Sequence, residues 1–163
     1  MKISGKMCLE IRRTNGEREK FAVHNQITTE GLTTLFNALF AGGSALSFYI
    51  GLINNSGFSA LSRADTPASH GGWSEWTGYS GSRPAWSLAI ACTGAGPITL
   101  IVTNPTSVSI TATSAGTLYG AFVASAASGT GGILWAEIAF PATKTLASGD
   151  TLTITSYTIT ATA

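Results

Sequence analysis

Apolar and polar residues alternate along most of this chain with a period of two, broken once by a helical period. Residues 7–13 and 20–23 flank Thr14-Asn15-Gly16-Glu17. Asn-Gly favours a tight hairpin turn there, because both residues tolerate positive φ. Over residues 29–41 the spacing changes. Leu32, Leu35, Phe36, Leu39 and Phe40 recur at i, i+3, i+4, i+7 and i+8, the apolar stripe of an amphipathic helix. Thr28 or Thr29 can cap its start, Glu30 suits the positive end of the helix dipole, and Gly42-Gly43 ends it.

From residue 48 the period returns to two. Residues 48–53 form an apolar run that stops at Asn54-Asn55-Ser56-Gly57. Trp86, Leu88, Ile90 and Cys92 alternate with small or polar residues. Segments 98–103, 108–112, 118–124 and 133–140 follow, the last two separated by the loop 125–132. In the final segment Leu152 and Ile154 share one parity, whereas Tyr157, Ile159 and Ala161 share the other. That change of phase predicts a bulge or bend near Ser156. The pattern predicts an all-β fold, a jelly-roll-like β-sandwich of eight to ten short strands with an N-terminal β-hairpin and one short α-helix. Residues 1–26 read as a basic hairpin or arm, and 27–163 as the sandwich domain.

Composition sharpens this picture. Only 10% of the 163 residues are charged, against about 25% in an average domain. Few charges are left to keep free copies apart, which suits a chain packed against neighbours. The charges are also uneven. Lys2, Lys6, Arg12, Arg13, Arg18 and Lys20 fall in the first twenty residues, offset only by Glu10, Glu17 and Glu19. Such a segment is either a solvated, charge-laced hairpin or a contact for an acidic surface, with Arg12 and Arg13 as the contacts. The interleaved acids argue against nucleic acid as a partner. Cys8 and Cys92 have no metal-binding or redox spacing, and no metal or cofactor is expected. No apolar run approaches the roughly 18 residues a membrane span requires. Residues 1–13 lack the apolar core of a secretory signal.

Titratable groups that could work together are scarce. Asp65, His70 and Glu75 lie in the long loop between Ile53 and Trp86 and could in principle form a metal site or orient a general base. Their five-residue spacing matches no chelating pattern on a helix or strand, so a structural or interface role is the expectation and no enzymatic activity is expected. The Gly-rich run at 128–132 precedes a strand, whereas a phosphate cradle precedes a helix. The same long loop holds Trp73, Trp76, Tyr79 and Trp86, with Arg83 between them. These residue types anchor protein interfaces. They can equally cover one end of a sandwich, or stack on sugars. Trp73, Trp76, Tyr79 and Arg83 are therefore candidate surface anchors.

Several blocks of the chain resemble one family. They are Val23-His24-Asn25-Gln26-Ile27-Thr28-Thr29-Glu30-Gly31-Leu32, Phe48-Tyr49-Ile50-Gly51-Leu52-Ile53, the run from Asp65 to Ser80, Arg83-Pro84-Ala85-Trp86 and Ala147-Ser148-Gly149-Asp150-Thr151-Leu152. In this order they are similar to small virion structural proteins of tailed bacteriophages. The resemblance spans about residues 23 to 160 and leaves the basic hairpin outside it. It implies a capsid decoration (cement) protein on the capsid exterior, assembled in the host cytoplasm. Its implied partners are the major capsid protein and further copies of the chain, with no membrane involved. The alternative it leaves open is a tail or fibre component with a carbohydrate- or receptor-binding aromatic loop.

Overall fold

The computed structural model describes residues 2–43, 47–93 and 99–162. Ile98 and the side chains of Leu39, Ile90 and Cys92, which entered the periodicity above, lie outside the described residues. The strands are β1 (Lys2–Arg12), β2 (Arg18–His24), β3 (Gln26–Ile27), β4 (Phe48–Asn54), β5 (Glu75–Trp76) and β6 (Ala85–Trp86). They continue with β7 (Ala89–Thr93), β8 (Thr99–Thr103), β9 (Val108–Thr111), β10 (Gly116–Ala124), β11 (Leu134–Leu146) and β12 (Thr151–Thr162). One helix, α1 (Thr29–Phe40), follows β3. It is shorter than a membrane span requires, and no helix among the described residues is long and apolar enough to cross a membrane.

Two antiparallel sheets form the sandwich. The first runs β2-β1-β12-β8-β7, with β9 pairing the opening half of β12. The second runs β3-β11-β10-β4-β5, with β6 also on β4. Between them lie Met7, Leu9, Ile11, Leu152, Ile154 and Tyr157 of the first sheet, and Ile50, Leu52, Leu118, Val123 and Ile138 of the second. All are buried, and their apolar area supplies the main folding drive. The predicted bulge is present. Cys8 pairs Ser156 and Leu9 pairs Ile154, so Thr155 is the extra residue that resets the phase.

The N-terminal segment is no detached arm. β1 pairs β12 from Lys2–Thr162 to Arg12–Thr151 and pairs β2 on its other side. Its inward side chains are core residues, which removes the boundary at residue 26. Gly16, with φ of 90°, makes the turn between β1 and β2. Arg13 ties that turn to the far end of the chain. Its guanidinium lies 3.0 Å from Asp150 and also donates to the Thr145 carbonyl.

Three further departures have physical causes. The second sheet is covered on both faces, so β4, β10 and β11 carry consecutive buried residues in place of alternation. On its outer face Ile53, Phe122, Ala124 and Leu134 pack under Trp73, Phe58 and Leu61 of the long loop. β11 continues past Pro141, beyond the segment 133–140 that the sequence pattern predicts. The ladder slips between Gly120–Ala139 and Leu118–Lys144, so the proline sits where no backbone N–H is required. Trp86 and Ile90, read as one strand, belong to different sheets, because Ser87-Leu88 carries the chain across.

Helix α1 begins as its sequence implies. Thr28 Oγ1 accepts from the Gly31 N–H at 3.0 Å, and the Glu30 carboxylate accepts from the Leu134 N–H at 2.8 Å. Gly31 lets this first turn lie directly on the backbone of Trp135, where any Cβ would collide. Beyond that turn the helix lifts away. Leu35 packs on the core, while Leu32 and Phe36 are 39% exposed and Phe40 is 80% exposed.

Candidate functional site

The long loop folds inward, and its aromatic residues become structure. Trp73 is 6% exposed, Trp76 5% and Arg83 6%. This corrects the reading of all three as surface anchors. Trp76 lies flat against Gly78 and Gly116, where a methyl group at either position would meet its indole ring. Tyr79, half-buried, stands 6.0 Å from it and forms an isolated bridge with Ala112, the residue after β9. The loop thus closes one end of the sandwich.

Arg83 is held by four hydrogen bonds. Its Nε and one terminal nitrogen donate to the two Glu75 oxygens at 2.8 and 2.7 Å. The remaining donors reach the carbonyls of Ala126 and Gly129 at 2.9 and 2.8 Å. The guanidinium also lies 4.9 Å from the centre of the Phe122 ring. This ion pair fastens the aromatic loop to the Gly-rich loop 125–132. Tyr79 donates to the same Glu75 carboxylate at 3.2 Å. Burial first, and the nearby Glu75 charge second, push its hydroxyl pKa well up.

A second cluster lies deeper. The indole N–H of Trp73 is shared between Asp65 Oδ2 at 2.9 Å and Glu137 Oε1 at 2.8 Å. Glu137 is fully buried, and its second oxygen has no partner in the structure. Burial, reinforced by the neighbouring Asp65 carboxylate, pushes its carboxyl up to about 8. A buried carboxyl beside another carboxylate keeps its proton because two bare charges in low dielectric would repel. His70 stacks on Trp73 with ring centres 4.0 Å apart, and its Nδ1 lies 2.9 Å from the Trp73 carbonyl.

Asp65, His70 and Glu75 therefore have separate partners: the Trp73 indole, the Trp73 backbone and Arg83. Among the described residues no three His, Cys, Asp or Glu side chains are grouped to hold a metal ion. Between His70, Trp73, Glu75, Arg83 and Phe122 lies a cavity of about 180 Å³, below the roughly 300–1,000 Å³ of typical ligand pockets. With Trp73 and Trp76 buried, neither indole offers the open face that sugar stacking needs.

The N-terminal arginines separate in role. Arg13 is part of the Asp150 anchor. Burial raises the Asp150 carboxyl, but the Ala147 N–H, Arg13 and the Thr14 N–H outweigh it and hold the pKa low. Arg12 is exposed on the outer face of the first sheet. It is not alone there. Lys2, Lys6, Arg12, Arg18 and Lys20 are all exposed, and the β1–β2 register places them on one face. The sequence held the signal, because all five have even numbers and the hairpin register pairs even with even. Compared with known proteins, the chain matches no family model and no curated protein.

Proposed function

We propose that this chain is a bacteriophage capsid decoration (cement) protein that binds the outer surface of the shell and stabilises it. The observation that carries the reading is the ordered set of sequence blocks, from Val23 to Leu152, that resembles small virion proteins of tailed phages. The jelly-roll form of the sandwich, the major capsid protein as partner and neighbouring copies of the chain belong to the same reading.

Three physical features support it. Asp65, His70, Glu75, Tyr79 and Arg83 of the long loop are engaged with one another, with Trp73 or with backbone, which favours a structural role over catalysis. The uncovered stripe of Leu32, Phe36 and Phe40 is apolar surface of the kind that assemblies cover. A sandwich also presents broad, nearly flat faces, and weak contacts made by many symmetric copies add to a strong clamp. The tail or fibre reading loses ground because its tryptophans are buried. The test is particle stability. Particles assembled without the chain should release DNA at a lower temperature, and adding it back should restore the original release temperature. Unchanged release would count against the proposal.

A further inference from the structure

We infer that the outer face of the sheet formed by β2, β1 and β12 is the docking surface of this chain, and that its partner is an acidic protein surface. The inference deepens the decoration reading and rests on it for the identity of the particle. Among the described residues five cations, Lys2, Lys6, Arg12, Arg18 and Lys20, share this face with a single acidic side chain, Glu10. Glu10 contacts Arg18 at 3.4 Å and Lys20 at 3.3 Å. Among the described residues no acid pairs with Lys2, Lys6 or Arg12.

The placement is costly for an isolated molecule. Arg12 stands directly opposite Arg18. Like charges facing each other across a strand pair repel. A sequence free to choose would alternate the signs here, as it does where Glu10 faces Lys20. The neighbouring acids Glu17 and Glu19 do not relieve the repulsion. Glu17 lies in the turn, and Glu19 has inward parity, with its carboxylate on Lys144 and Arg13. A partner that supplies carboxylates would remove the repulsion and gain from it.

The face also distinguishes between acidic partners. Its cations occupy β1 and β2, whereas β12 continues the surface with the neutral hydroxyls of Thr153, Thr158 and Thr160. Among its described residues the face carries no Phe, Tyr or Trp ring on which a base could stack, only the small imidazole of His24, and no helix that could enter a groove. Half cationic and half hydroxyl, it matches a folded protein surface with a local acidic patch better than a uniformly charged polyanion.

The test uses the full chain and a Lys2→Glu/Lys6→Glu/Arg12→Glu variant, its fold checked by circular dichroism. Both are passed over immobilised polyglutamate and immobilised duplex DNA, and both are added to particles stripped of the chain. The inference expects retention on polyglutamate, weaker retention on DNA, and a loss of at least about tenfold in the variant on polyglutamate and on particles. Stronger retention on DNA would overturn it in favour of nucleic acid, and equal retention of variant and wild type would overturn it outright. If the variant does not fold, the salt response of the wild type decides. Retention on polyglutamate should fall steeply from about 50 to about 200 mM salt, and a flat response overturns the inference. Particles that bind wild type and variant equally refute the face and leave the decoration reading standing. Particles that bind neither, while polyglutamate separates them, refute the decoration reading and leave the face standing.

Discussion

The guanidinium of Arg83 grips the carboxylate of Glu75 through two donors, at 2.8 and 2.7 Å. Its other donors reach a loop more than forty residues further along the chain. Arg83 is buried and Glu75 largely so. Removing one partner therefore strands a charge and frees two loops. Arg83→Ala should cost about 3 kcal/mol in urea unfolding. Arg83→Lys should recover only part of this, because one ammonium cannot reproduce the two-pronged grip. A loss within experimental error for Arg83→Ala would show that the clamp contributes nothing.

Trp76 provides a sharper contrast. A surface anchor could be truncated with the fold intact. Trp76 instead fills a space bounded by Gly78 and Gly116, so Trp76→Ala should destabilise the isolated chain by about 3–5 kcal/mol. Gly116→Ala, which pushes a methyl into the indole, should also destabilise it. Thermal unfolding of both variants would check this, and a wild-type midpoint for Trp76→Ala would return the residue to the surface.

Glu137 makes stability depend on pH. Its folded carboxyl is pushed up to about 8 from an ordinary 4.5, so the folded chain holds a proton that the unfolded chain releases. The stabilisation is complete below about 4.5 and is lost as pH rises through about 8. Urea unfolding at intervals across this window should show wild-type stability declining and Glu137→Gln declining less. An identical slope in the two proteins would place the titration elsewhere.

Arg12 and Arg18 should show a trade between stability and docking. Replacing Arg12 with Thr removes a facing like charge, so the isolated chain should gain about 0.5 kcal/mol. The same change should weaken retention on an acidic surface. Denaturant midpoints and binding measured on the same preparation would decide, and a loss of stability would show that the pair does not repel.

Much of this architecture was legible in the sequence because its signals are local. Asn15-Gly16 marked the first turn, Thr28-Thr29 the helix start and the parity change around Ser156 the bulge or bend. The candidate site was less legible. Trp, Tyr and Arg suit an interface and a buried lid equally well. Composition could not show that Glu137, on β11, would come up beneath Trp73 to receive its N–H. The helical stripe was visible, but its limited burial was not, because that depends on Gly31 seating only the first turn. The cationic face is readable from parity only with the hairpin register in hand, because its cations come together only when β1 and β2 pair even positions with even.

The measurement closest to the central claim is the copy number of this chain in purified virions, by quantitative mass spectrometry against the major capsid protein. A decoration protein that covers the shell is expected in hundreds of copies per particle. A handful of copies would contradict that role and move the chain to the tail or portal, and its absence from the particle would contradict the account altogether.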